Sequence, residues 1–216
     1  MAHNGTAHPG HATRRGVCLV ISAPSGAGKS TIANALRASD TKLKHSVSVT
    51  TRKPRPGEKE GVHYYFRTME QFEAMAQAGE LLEWAIVFGR GYGTPRAPVE
   101  QALAAGYDMV FDIDWQGHRQ IRAALPGDVV GLFVLPPSLE ELERRLTGRG
   151  SDHPDEIARR MAAARDEISH WHEFDTVIIN TELDRAVAEA RSVLVAGRLL
   201  TRRQTGLAGF VATFDA

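Results

Sequence analysis

Lys29 and Ser30 close the stretch Ala23-Pro24-Ser25-Gly26-Ala27-Gly28-Lys29-Ser30-Thr31, which directly follows the apolar run Val17-Cys18-Leu19-Val20-Ile21. A glycine-rich turn between a strand and a helix points successive backbone N–H groups into one concavity, and the helix start adds a positive dipole end. Polyphosphate is favoured there. Glycines at 26 and 28 let the backbone approach a ligand closely. Lys29 supplies a charge that follows the terminal phosphates, and the Ser30 hydroxyl suits an accompanying magnesium ion. The stretch therefore predicts a phosphate loop for a magnesium-bound nucleoside triphosphate. The eight-residue pattern usually begins with Gly; Ala23 holds that place, which predicts an ordinary extended backbone there.

A second set of groups points to an acceptor. Thr51-Arg52-Lys53-Pro54-Arg55-Pro56-Gly57-Glu58 sets two arginines three residues apart on a proline-stiffened segment, with Tyr64 shortly after. Two guanidinium forks and a phenol can surround a phosphate dianion with directional donors. Asp112 and Asp114 end an apolar strand, where carboxylates meet a nucleotide crevice. Alternate residues on a strand face opposite ways, so spacing does not say which of the two would orient metal and which would face an acceptor.

These groups need a scaffold that brings strand ends together. Apolar β-type runs at Val17 to Ile21, Met109 to Ile113, Val129 to Leu135 and Thr176 to Ile179 alternate with helical patterns. Such runs suit strands buried on both faces, and the alternation predicts an α/β fold with a parallel sheet core covered on both sides. Ser138 with Glu141 and Thr68 with Gln71 fit capping boxes, and the last long helix is expected from about Leu183 to Arg203. Two segments interrupt the alternation. Between about 47 and 97 short alternating pieces such as Ser46 to Thr50 and His63 to Phe66 predict an inserted small antiparallel sheet. Between about 139 and 169 a charged helical stretch, broken at Gly148-Arg149-Gly150, suits a solvent-facing lid. The core is then 16–46, 98–138 and 170–205, preceded by a polar leader over 1–15 and followed by a tail over 206–216.

The whole-chain properties restrict the partners. The 26 basic and 26 acidic side chains cancel, so no general field draws a nucleic acid polymer to the surface. The single cysteine, Cys18, forms no disulfide within the chain and reads as a buried, inert thiol. No apolar run approaches membrane-spanning length, and the N-terminus lacks the charged-then-apolar order of a secretion signal. The expected compartment is the cytoplasm. His3, His8 and His11 in the leader have no carboxylate or cysteine beside them, which disfavours a metal site. His170-Trp171-His172 reads as packing, and Trp84 and Trp115 are expected to brace the carboxylates beside them.

The motifs, taken in order, resemble guanylate kinase, the family that phosphorylates GMP with ATP. They are Ala23 to Thr31, Ser48 to Arg55, Gly61 to Phe66, Glu83-Trp84-Ala85, Tyr92-Gly93-Thr94, Asp112 to Gly117 and Arg145 to Gly150, spread from about Gly16 to Leu200. The resemblance implies a P-loop NTPase three-layer fold with a GMP-binding insertion and an ATP-covering helical lid. It implies that Ala23, Pro24, Ser25, Gly26, Ala27, Gly28, Lys29, Ser30 and Thr31, with Arg145 and Arg149, hold ATP. Arg52, Arg55, Tyr64 and Tyr92 would hold the GMP phosphate, while Glu83, Ser48 and Thr94 would read the base and Asp114 would lie at the same site. Lys29, Arg52, Arg149, Arg160 and Asp112 would serve catalysis, and Ser30 with Asp112 would meet the magnesium ion. Guanine carries a ring N–H and an amine side by side, a pair that one carboxylate such as Glu83 accepts and adenine lacks. Arg144, Arg159 and Arg165 read instead as partners of Glu140, Glu143, Asp155 or Glu156 on solvated helix faces.

Two competing readings remain at this level. A kinase of the same architecture acting on another nucleotide or a phosphorylated sugar is disfavoured by Glu83, Ser48 and Thr94. A binding module for phosphorylated protein partners is disfavoured by the intact phosphate loop and the arginine-rich lid. The motifs leave open whether the protein is a monomer or a homo-oligomer.

Overall fold

A computed structural model describes residues 13–148 and 154–214. Five parallel strands form the main sheet: β1 (Cys18–Ser22), β2 (Leu43–His45), β7 (Asp108–Asp112), β8 (Val129–Leu135) and β9 (Thr176–Ile179), in the order β2-β7-β1-β8-β9. The four-stranded second sheet comprises β3 (Val49–Thr50), β4 (Tyr65–Phe66), β5 (Leu81–Val87) and β6 (Arg90–Pro95), in the order β4-β3-β6-β5. The helices are α1 (Lys29–Ser39), α2 (Met69–Gln77), α3 (Arg96–Ala104), α4 (Trp115–Ala124), α5 (Leu139–Thr147), α6 (Pro154–Ser169), α7 (Leu183–Leu199) and α8 (Leu207–Ala212).

Period-two alternation makes β1 the spine of the molecule. Val17, Leu19 and Ile21 enter one core with Ile32 and Leu36 of α1, Leu142 and Leu146 of α5, and Ala186, Ala190 and Leu194 of α7. Cys18 and Val20 enter a second core on the opposite face with Val99 and Leu103 of α3, Phe111 of β7 and Ile121 of α4. Burial of one such aliphatic side chain contributes about 1.5–3 kcal/mol, so a charge at Val20 would disrupt the layer packing that holds every strand end. Burial pushes the Cys18 thiol far up, in keeping with an inert core position.

Three departures from the sequence reading have physical causes. The second sheet is mixed rather than antiparallel: β3 pairs with β6 and β6 with β5 in opposite directions, but β3 and β4 are parallel. The chain between Thr50 and Tyr65 is long enough for the crossover that parallel neighbours require, and Pro54 and Pro56 keep it out of the sheet. The C-terminal helix stops at Leu199, where Leu200 turns extended, and a short 3₁₀ turn over Thr201–Arg203 follows. That break lets Arg203, 1% exposed, drop into the core and donate to the carbonyls of Gly16 and Gly127. Residues 13–15, grouped by composition with the leader, are tied down: Arg14 pairs with the fully buried Asp108 and Arg15 with Asp128. His3, His8 and His11 lie outside the described residues.

Helix starts follow the capping signals. Thr68 accepts from the Gln71 N–H while the Gln71 side chain accepts from the Thr68 N–H, a complete reciprocal box. Ser138 accepts from the Glu141 N–H, but the Glu141 carboxylate turns to Arg144 and Arg145 instead of completing the box. Among the described residues no helix is long and apolar enough to cross a membrane.

Candidate active site

The carboxyl ends of β1 and β7 face the start of α1, which is where the parallel sheet gathers its polar groups. Gly26 and Gly28 take φ of 97° and 101°, conformations that side chains resist, while Ala23 is absent from the left-handed positions, as its extended reading requires. A Cβ on Gly28 would come within 2.4 Å of the Asn180 amide nitrogen, so packing demands glycine there as well. Asn180, buried just past β9, donates to the Ala27 carbonyl at 2.8 Å and braces the loop from behind. Lys29 lies half-buried over this turn with its Nζ donating to the Ile113 carbonyl at 3.2 Å. Burial lowers its pKa, and the charges of Asp112 and Asp114 oppose that fall.

Ser30 and Asp112 meet directly, the hydroxyl donating to the carboxylate at 2.8 Å. Burial alone would raise the Asp112 pKa, but the His45 ring 3.7 Å away, the Ser30 hydrogen bond and the Lys29 charge hold it below the ordinary carboxylate range. Two hard oxygens beside a phosphate loop match the donor chemistry of magnesium. Asp114, two residues on, instead accepts from the Gly117 N–H at 2.8 Å and caps α4. The two carboxylates thus have different partners, a division that spacing left open.

The second sheet contributes a cavity of about 370 Å³ beside these strand ends. Ser48, Tyr64, Glu83, Tyr92, Thr94 and Asp112 line it together. The β5–β6 register sets Glu83 opposite Thr94, and the Thr94 hydroxyl donates to the Glu83 carboxylate at 2.7 Å. Gly93 between Tyr92 and Thr94 lets the strands close up, since a Cβ there would lie 2.9 Å from the Glu83 carbonyl. Burial raises the Glu83 pKa, with the Thr94 hydrogen bond pulling the other way and nearby Asp114 adding to the rise. Gln120 of α4 pairs its amide with both the N–H and the carbonyl of Trp84, fixing the second sheet to the first.

Arg52 and Arg55 stand outside that lining. Arg52 is buried and held by Glu58 through two hydrogen bonds of 2.7 and 2.6 Å, with its guanidinium 5.0 Å from the centre of the Tyr64 ring. Arg52 in turn holds the Glu58 carboxyl down at about 2. Arg55 is exposed, and its backbone N–H donates to the same Glu58 carboxylate at 2.7 Å. Glu58 therefore sets the shape of the loop that carries both arginines, a role hidden within a motif that is read for its cations.

On the helical side, Arg145 donates to Glu141 at 2.8 Å and to the Asn180 carbonyl at 3.0 Å, which ties α5 to the strand end behind the phosphate loop. Arg160 of α6 reaches the Ser25 hydroxyl at 3.4 Å and pairs with Glu156 at 3.1 Å. Arg149 lies outside the described residues. Arg144 pairs with Glu141 and Arg159 with Glu156, so the solvated-face expectation holds for both, with Glu141 as the partner of the first. The rings of the two tryptophans find aromatic partners: Trp84 packs edge-on against Phe72, and Trp115 stacks on His170 at 3.6 Å under Arg119. Trp84 must face away from Glu83 because adjacent strand residues alternate.

Asn180 and Glu58 were absent from the sequence-derived site. Asn180 had a signal, since it follows an apolar strand just as Asp112 closes one. Glu167, whose carboxylate accepts from the Ser25 N–H at 3.2 Å, had none, being one of many charges on a helix.

A strand, a glycine-rich turn and a helix, set in a five-stranded parallel sheet, define the class: a P-loop α/β protein. The guanylate kinase family model matches residues 15–196. Guanylate kinase of Gluconobacter oxydans (strain 621H) is 77% identical over 202 residues, covering 94% of this chain and 97% of its own. That of Granulibacter bethesdensis is 64% identical over 191 residues, covering 88% and 89%. The crystal structure of guanylate kinase from Anaplasma phagocytophilum has a TM-score of 0.71 and 38% identity, covering 93% of this chain and 95% of that one. The chain belongs to the guanylate kinase family.

Proposed function

We infer that this protein transfers the γ-phosphoryl group of ATP to GMP, giving ADP and GDP. The observation that carries this reading is the juxtaposition, at the carboxyl ends of the central strands, of the Lys29 loop with a cavity that contains the Glu83–Thr94 pair. Guanine offers two adjacent donors, and Glu83 is a half-buried carboxylate able to accept both. With adenine in the cavity that carboxylate loses its partners, and sites built on such hydrogen bonds discriminate by ~10⁴–10⁵-fold. Ser48 and Thr94 supply hydroxyls for the rest of the base. Arg52, Arg55, Tyr64 and Tyr92 receive the GMP phosphate, for which Arg52 has N–H groups beyond those given to Glu58 and the Lys53 carbonyl.

The backbone N–H groups of the 23–31 loop, Pro24 excepted, and the Lys29 ammonium take the ATP phosphates. Ser30 and Asp112 are the residues that would hold magnesium, which neutralises charge between the phosphates when bound. The acceptor is already an anionic phosphate oxygen, so no general base has to create the nucleophile. Catalysis is then positioning and charge neutralisation, shared by Lys29, Arg52, Arg145, Arg160 and, by the resemblance, Arg149. Transfer is direct and in line, with no phosphoenzyme.

Incubation of purified protein with ATP, magnesium and each common nucleoside monophosphate in turn tests the reading. GDP formed from GMP, with at most trace diphosphate from AMP, CMP or UMP, is the expected result. Equal use of AMP would overturn the assignment of Glu83.

A further inference from the structure

One residue of the phosphate loop is gripped by two opposite charges from a single helix. The Ser25 N–H donates to the Glu167 carboxylate at 3.2 Å, and the Ser25 hydroxyl accepts from Arg160 Nη1 at 3.4 Å. Arg160 and Glu167 lie two turns apart on α6 and so share a face. Glu167 is partly buried, and the charges of Lys29 and Asp114 both act on it. Its carboxylate therefore occupies a backbone donor of a loop whose N–H groups serve phosphate oxygens.

A polyphosphate in the loop would meet these two side chains differently. One N–H serves one strong acceptor, so phosphate and carboxylate compete for Ser25, and their like charges repel at contact distances. Arg160 is attracted by the same phosphates. We propose that Glu167 competes with the nucleotide's phosphates for the Ser25 N–H, so that triphosphate binding frees the C-terminal half of α6 from the loop while drawing Arg160 toward it. Glu167 is on this account a determinant of nucleotide affinity, and α6 responds to phosphate by tilting about the loop. The proposal rests on residues 23–31 being the triphosphate site.

Titration calorimetry of the full chain with magnesium ATP, and separately with tripolyphosphate as a base-free probe, tests it in wild type, Glu167→Gln and Glu167→Ala. Both variants should bind both ligands more tightly, with Kd lower by about two- to tenfold. KM for ATP should fall in parallel while KM for GMP stays put. Thermal unfolding without ligand checks that each variant is folded; if the alanine variant is not, the isosteric glutamine variant carries the test. Unchanged or weaker binding by a folded variant overturns the proposal. A wild-type protein that binds neither ligand overturns the triphosphate site and this proposal with it.

Discussion

The phosphate loop and the acceptor cavity reach polar recognition by opposite means. The loop is contiguous, residues 23–31, and its donors are mostly backbone N–H groups aimed by two glycines in left-handed conformation. The cavity collects side chains from β6, β7 and the segments around Ser48, Tyr64 and Glu83, and their placement depends on cross-strand register and on the Gln120–Trp84 tie between the sheets. Backbone recognition tolerates many side chains but few changes at its glycines. Side-chain recognition tolerates backbone variety but hangs on one or two groups. On the proposed function, specificity for a base belongs in the cavity, while the loop would serve any triphosphate.

The largest test of this contrast lies in the loop's one indispensable side chain. Lys29→Ala should lower kcat by about 10³-fold, because the charge that meets the developing phosphoryl charge is lost, with the fold kept as judged by circular dichroism. A near-normal rate would show that the backbone alone suffices on the donor side. Next in size, Glu83→Gln should reduce the preference for GMP over AMP by about 10–100-fold, measured as the ratio of kcat/KM values, since one acceptor of two becomes a donor. Unchanged selectivity would move base reading away from Glu83. The smallest effect concerns the rim. Arg52 holds the Glu58 carboxyl at about 2 against an ordinary 4.5, so the stabilisation is present above about 4.5 and fades as pH falls towards about 2. Denaturant unfolding of wild type and Glu58→Gln should show a stability difference at neutral pH that closes over that interval. A pH-independent difference would mean that the loop is held by something other than this ion pair.

Legibility followed the same divide. The loop, the α/β class and Asp112 at a strand end were all readable, because each is a local pattern: a turn chemistry, a two-sided apolar run, a carboxylate closing it. The parallel pairing of β3 with β4 was not readable, because strand direction depends on a crossover whose path no local alternation records. The ring partners of Trp84 and Trp115 were not readable either, since rings pack on whatever neighbouring elements offer, here Phe72 and His170.

What the amino-acid order determined by itself is the donor end, since a phosphate loop needs only contiguous backbone geometry and one lysine. Tertiary structure alone decided that Arg52 rests on Glu58, that Asn180 braces Ala27, that Thr94 donates to Glu83 and that Glu167 reaches Ser25. Apart from the Arg52–Glu58 loop and the Glu83–Thr94 pair within one hairpin, these pairs join residues far apart in the chain, and sheet register and helix packing, not sequence neighbourhood, set which side chains come within hydrogen-bond distance.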